Sequence, residues 1–365
     1  MRPLLALFGV SCVAAVIASS CAAGDASDDP QDCPIGSETC ACTQGGSCDA
    51  PLVCLSNLCV NPSTGGSNAG GENAGGQGSG AFNAGGGGGG SMCANGGCKA
   101  VDVLFALDGS GSMTQEISAL SATQSFQAVT AALAGLNCGD IDYRIGVVDD
   151  NTPVFKVPAG WSGGSPWFDS LSMSDDEIAQ AFAGAASVVA AGSGTEAGCE
   201  HVLTNSEELL TNDTSGFVRP EALLVLVLVT DVDDYGAYDN ENGNTCGFGC
   251  TVTGPTPDQV NASLVALKGN DPKGVAAIVV AGDPNIAGGN NFCDQPATCG
   301  CMDVGGLVDC DVYHATKLWQ FAGLQTGQNG FTENLCGGPQ TVPDAVQTAL
   351  GSNIDLACQQ FEPPH

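Results

Sequence analysis

Basic side chains are scarce in this sequence: 8 Lys and Arg stand against 40 Asp and Glu in 365 residues, a formal net charge of −32. A chain so acidic is repelled at long range by nucleic acid and by anionic lipid headgroups, which excludes both as partners held by charge. Histidine is rarer still, with three copies. Neither His201 nor His314 stands in an H-E-x-x-H pattern, so each reads as a packing or capping residue rather than a zinc ligand. No serine of a candidate motif has a histidine beside it to act as base. Long apolar runs are also lacking. The run over residues 4–18 follows Arg2 and is too short for a stable membrane span, so it reads as an export signal.

What the chain has in quantity is cysteine and glycine, 20 and 53 residues. That many cysteines in an acidic, Gly-rich chain point to an oxidising compartment and to disulfides rather than catalysis. No enzyme is expected. The segment Ile17-Ala18-Ser19-Ser20-Cys21 resembles a bacterial lipobox, which implies removal of residues 1–20, lipidation of Cys21 and membrane attachment by that anchor alone. Ala22 after the cysteine resembles lipoproteins sent to an outer membrane. The alternative is ordinary signal cleavage near Ala22 or Ala23 and secretion. Without Cys12 and Cys21 eighteen cysteines remain, an even number that can all pair.

Residues 21–32 form a short acidic stalk. Over residues 33–60, Cys33, Cys40, Cys42, Cys48, Cys54 and Cys59 crowd into a stretch too small to bury a core, so disulfides would have to hold it. A zinc site there has no histidine nearby and would need a reducing compartment. Residues 61–92 are Gly, Asn and Ser with a run of six glycines. They read as a flexible linker with an r.m.s. reach of roughly 30 Å. Residues 93–361 then form one large domain containing Cys93, Cys98, Cys138, Cys199, Cys246, Cys250, Cys293, Cys299, Cys301, Cys310, Cys336 and Cys358. Cys93 and Cys98 are expected to close a small loop ahead of the first strand.

That domain alternates strands and helices as an α/β fold with a doubly wound, mostly parallel sheet does. Residues 101–107 are nearly continuously apolar and read as a buried strand. Further strands are expected over 143–148, 222–229 and 275–281, an edge strand over 154–157 and a short last strand over 330–335. Helices are expected over about 113–136, as one element, and over 174–190, 196–210, 257–268, 314–324 and 342–350. Ser174 with Glu177 makes a capping box, and Thr256, Pro257 and Gly269 mark the ends of another helix.

Where the first strand should end stand Asp108, Ser110 and Ser112, spaced i, i+2 and i+4 on a turn loosened by Gly109 and Gly111. One carboxylate and two hydroxyls can converge there, and hard oxygen ligands suit Mg²⁺ or Mn²⁺. At these residues the chain resembles the von Willebrand factor A-type (vWA) domain, whose metal-ion-dependent adhesion site carries a D-x-S-x-S motif. The resemblance extends over residues 99–358. It implies a threonine from a second loop, which Thr195 offers, and an aspartate after a later strand, which Asp231 offers. It further implies a bound Mg²⁺, Mn²⁺ or Ca²⁺ that captures an acidic group of a protein or glycan partner. The alternative is a structural module whose ion only tightens its loops. A dinucleotide fingerprint is excluded because position 114 is threonine. A capped helix start would use Ser110 or Ser112 only to satisfy backbone N–H groups.

Two long insertions, between Asp231 and Thr256 and between Gly282 and Asp311, follow strand ends and are expected to rim the site. Asp233 and Asp234 read as solvated loop acids. Trp161 and Trp167 lie in a Gly/Pro-rich loop, where they could contact a ligand or cover a core edge, and the second is expected.

Overall fold

The computed structural model describes residues 53–55, 58–60, 97–192, 200–235, 254–288, 298, 302–304, 307–309 and 312–363. The chain divides into two units, residues 1–90 and 91–365. In the first, strands β1 (Val53–Leu55) and β2 (Leu58–Val60) pair antiparallel. Cys21 and the expected signal, stalk and linker lie outside the described residues, as do Cys33, Cys40, Cys42, Cys48 and Cys93.

The second unit is a six-stranded α/β domain. In chain order its sheet strands are β3 (Ala100–Leu107), β4 (Asp142–Asp149), β5 (Phe168–Asp169), β6 (Leu223–Val229), β7 (Val275–Ala281) and, after the separate hairpin β8 (Met302–Val304) and β9 (Leu307–Asp309), β10 (Gly330–Asn334). They lie in the order β10-β7-β6-β3-β4-β5, parallel except for β5. The helices are α1 (Thr114–Ser121), α2 (Thr123–Gly135), α3 (Asp175–Gly192), α4 (Val202–Asn212), α5 (Pro257–Leu267), α6 (Thr316–Gly323), α7 (Thr341–Ala349) and α8 (Asp355–Gln360). None of the described helices is long and apolar enough to cross a membrane.

Strand alternation explains the two-sided core. Val101, Val103, Phe105 and Leu107 of β3 pack with α1, α2, α3 and α7 on one face, while Leu104 and Ala106 meet α4, α5 and α6 on the other. Strands covered on both faces need no polar side, hence the unbroken apolar runs. Phe126 stacks on Phe182 at 3.6 Å between centroids, and Phe105 meets Phe182 edge-on at 4.9 Å, which locks α2 and α3 over β3.

The structure differs from expectation in four elements. The helix over 113–136 is two helices, broken at Ala122 with ψ 131°. Continued straight, a helix would set Leu120 and Phe126 roughly 120° apart around its axis, and the break lets both face the core. Residues 154–157 are not a strand. Pro153 and Pro158 bracket them, and only Lys156 N–H donates to the sheet, to Val147 O at 2.8 Å. The edge is β5 instead. The helix expected over 196–210 starts at Val202, and residues 193–199, with Thr195 and Cys199, lie outside the described residues. Cys98 bonds not Cys93 but Cys358, with Cα atoms 4.9 Å apart, because Cys98 N–H also donates to Cys358 O at 2.7 Å and brings β3 and α8 together. Cys138 and Cys336 are disulfide-bonded too. The capping box expected at Ser174 with Glu177 forms, and Thr256, expected as a cap, makes a second one with Gln259.

Two of the few basic residues are turned inward. Arg219, ahead of β6, donates through its backbone N–H and Nε to the fully buried Asp102 carboxylate at 2.7 and 2.8 Å and also pairs with Asp142. Beside it Lys268 is 4% exposed, its ammonium bonded to the carbonyls of Arg219 and Pro220. Burial pulls the Lys268 ammonium down to about 8. An unfolded lysine ionises near 10.4, so between those values the unfolded chain binds more protons. Stability therefore rises with pH over that window, by up to about 3 kcal/mol in all. Urea denaturation at pH 8 and pH 9.5 measures this, and Lys268→Met is expected to flatten the slope.

Candidate metal centre

Parallel register alone puts two acids and a threonine at one level of the sheet. Leu107 pairs with Asp149 on one side and Val229 on the other, so the next residues, Asp108, Asp150 and Thr230, emerge together at the carboxyl edge. In open α/β sheets that edge is where ligands bind. Asp108 is fully buried. Its Oδ1 accepts Ser110 N–H at 2.8 Å and its Oδ2 accepts the Thr230 hydroxyl at 2.7 Å. Ser110 Oγ and Ser112 Oγ lie 2.8 Å apart. Neither serine side chain caps the short helical turn or α1 that follows, which removes the capped-helix alternative. Asp231 follows Thr230 at the same edge, near enough to Asp108 and Ser112 for both to act on its carboxyl.

Of the five expected ligands, Asp108, Ser110, Ser112 and Asp231 thus come together, and Thr195 lies outside the described residues. Gly109 is required by space: a Cβ there would lie 2.8 Å from Val189 O at the end of α3. Gly111 would meet nothing.

Two acids escaped the sequence reading. Asp150 accepts Gly109 N–H at 2.8 Å, and its carboxylate, that of Asp108 and that of Glu200 have oxygens within 4.8 Å of one another. The available signal was the acidic pair directly after the second strand, which any β3–β4 pairing sets beside Asp108. Its two members differ. Asp149 is neutralised by Lys156 at 2.5 Å and accepts Thr152 N–H at 2.7 Å, whereas no described basic side chain pairs with Asp108, Asp150 or Asp231.

The electrostatic result is strain among like charges. Two carboxylates at this separation repel by roughly 3–4 kcal/mol at an effective dielectric of about 20. Burial, then the Asp108 charge, pushes the Asp150 carboxyl up to about 7. Burial and Asp108 likewise hold Asp231 well above the ordinary carboxylate range, and Glu116 on α1 adds to the effect. Protons here balance charge that a divalent cation would balance better. Oxygen donors only, from carboxylates and hydroxyls, fit Mg²⁺, Mn²⁺ or Ca²⁺.

Asp233 and Asp234 do not share this site and are not solvated. Asp233, 4% exposed, accepts Lys317 N–H and Leu318 N–H at the start of α6. Asp234, 2% exposed, accepts Leu203 N–H and Thr204 N–H at the start of α4. Carboxylates are favoured at helix N-termini, where N–H groups lack partners, so this pair fastens two helices beneath the loop after β6. His201 precedes α4 and stacks on Tyr235 at 3.6 Å, and His314 Nε2 bonds Ile286 O at 2.9 Å. The insertions expected to rim the site fall mostly outside the described residues, with Cys246, Cys250, Cys293, Cys299, Cys301 and Cys310.

No protein-family model matches the chain, and no curated protein matches it. Among solved structures it is similar to proximal thread matrix protein 1 from the mussel byssus, at 18% identity and a TM-score of 0.38 over 72% of this chain and 49% of that one. It is also similar to the pilus adhesin SpaC from Lactobacillus rhamnosus GG in an open conformation, at 16% identity and a TM-score of 0.34 over 71% of this chain and 30% of that one. The chain therefore spans about half the length of the first and under a third of the second.

Proposed function

We propose that this is a divalent-cation-dependent binding protein of the vWA type, exported and lipid-anchored at Cys21, whose ion captures an acidic group of a protein or glycan partner. Asp108, Ser110, Ser112 and Asp231 would hold the ion, with Thr195 joining from the second loop. The observation that carries this reading is Asp108 at the carboxyl edge of the sheet beside Ser110, Ser112, Asp150 and Asp231, with no described basic side chain paired to these acids. A bound cation would reverse the local sign of a strongly negative chain and so admit a carboxylate that the rest of the surface repels. Binding rather than catalysis is the role proposed.

A structural role for the ion has one specific observation in its favour. Asp108 already ties Ser110 N–H to the Thr230 hydroxyl, so an ion here would also knit the loops after β3 and β6.

Calorimetric titration of the full chain with MgCl₂ and MnCl₂ tests the site, and one ion per chain is expected, lost in Asp231→Asn. A biotinylated Gly-Glu-Gly peptide then separates the roles. Capture that needs Mg²⁺ or Mn²⁺ and disappears in EDTA supports adhesion. An ion that binds and raises the melting temperature without peptide capture supports the structural role, and no ion uptake at millimolar metal overturns both.

A further inference from the structure

A cavity lies at the other end of α3. The C-terminal part of that helix touches the acidic edge, where Val189 O approaches Gly109. Its first turns, with Glu177 and Gln180, line an open cavity of about 610 Å³ closed on the far side by residues 158–165. At 1.5 Å per residue, Glu177 stands about 18 Å along the helix from Val189. The cavity is therefore separate from the candidate cation site. Its volume falls in the range of small-molecule sites, about 300–1,000 Å³.

The floor is apolar and held in place. Trp161 meets Phe168 edge-on at 5.2 Å, and its indole N–H donates to Ser165 O at 2.8 Å. Gly163 closes over the ring so tightly that a Cβ there would lie 2.3 Å from it. Met173 packs against the core beside it, and Pro158 completes the floor. A fixed indole has already lost the freedom that binding would otherwise remove.

The polar groups around that floor decide the ligand class. No basic side chain lines the cavity, so it has nothing to hold an anion. Asp169 is already engaged: its Oδ1 accepts Leu171 N–H at 2.7 Å, and its Oδ2 lies 3.8 Å from Arg144 Nε. Glu177, exposed on the rim, spends its Oε2 on the Ser174 N–H and hydroxyl in the capping box, so only its Oε1 faces a ligand, and a single exposed charge gives an organic cation little. The Gln180 amide makes no hydrogen bond among the described residues and can both donate and accept.

We propose that this cavity binds a short neutral oligosaccharide, one sugar ring packed against the part of Trp161 that lines it and its hydroxyls bonded to Gln180 and to Oε1 of Glu177. Sugar rings present apolar C–H faces and hydroxyls that donate and accept, which matches an indole flanked by an amide and a carboxylate. The tryptophan supplies most of the contact area, as amphipathic aromatics do in binding sites.

Cellotetraose, maltotetraose and chitotetraose, each titrated into the full chain in EDTA, test this through tryptophan fluorescence and saturation-transfer NMR. EDTA makes the outcome independent of the cation reading. At least one sugar is expected to saturate with a Kd between about 0.1 and 3 mM. Trp161→Ala should weaken it about tenfold or more, Trp161→Phe less, and Gln180→Ala about threefold. If Trp161→Ala melts early, Gln180→Ala on the exposed helix face decides the question in its place. Absence of saturation by all three up to about 10 mM overturns the proposal. So does binding untouched by these substitutions, or saturation by tetramethylammonium chloride alone.

Discussion

Asp108→Asn is expected to abolish cation uptake and, in EDTA at pH 8, to melt about 3–6 °C above the unsubstituted protein, a gain of about 1–2 kcal/mol. The two effects have one cause. Asp108 faces Asp150, Glu200 and Asp231, and no described basic group answers Asp108, Asp150 or Asp231. Repulsion of roughly 3–4 kcal/mol per close pair is partly relieved when one carboxylate becomes an amide. The asparagine oxygen still accepts Ser110 N–H, and its amide group can donate to the Thr230 hydroxyl, so the local hydrogen bonds are replaced rather than lost. A binding site that weakens the fold without its ligand is the usual exchange of stability for function. Differential scanning calorimetry with and without MgCl₂ reads both effects. A variant less stable in EDTA than its parent would mean that the carboxylates are not in conflict.

Asp102→Ala is expected to cost about 3–5 kcal/mol, the largest stability loss of any single substitution proposed. Asp102 sits mid-strand in β3, fully buried, and accepts both the backbone N–H and Nε of Arg219. Burial pushes its carboxyl up, and the Arg219 guanidinium works against that push. Removing the carboxylate strands a buried guanidinium, for which the more exposed Asp142 compensates in part. The pair Asp102→Ala with Arg219→Met should recover most of the loss, since an apolar pair of similar volume needs no charge balance. Urea denaturation of the single and double variants decides it. A double variant no better than Asp102→Ala alone would contradict the argument.

Much of this architecture was legible in the chain. Strands β6 and β7 are unbroken apolar runs, and β3 is one but for Asp102, because both faces are covered, and the Thr256 and Ser174 helix starts carry their own capping residues. Position along one strand also placed Asp108, Ser110 and Ser112 together. What depended on strand order was harder to see. Asp150 becomes a neighbour of Asp108 only once β4 is known to lie against β3 in register. Asp233 looked like a loop acid because the N–H groups it accepts belong to a helix 84 residues later. Ala122 breaks a helix although its propensity is high, since the demand that Leu120 and Phe126 share the core outweighs a few tenths of a kcal/mol of local preference. Cys98 finds a partner 260 residues away, which no local spacing could reveal.

That last bond changes how the domain meets mechanical force. Cys98 stands just before β3 and Cys358 inside the final helix, so the sulfur bridge closes the intervening polypeptide into a ring. A pull exerted on the chain just before residue 98 and just after residue 358 runs through two side chains and their shared covalent link. The sheet and its hydrogen bonds are left outside the tensile path, and the fold can be held under tension without being drawn open.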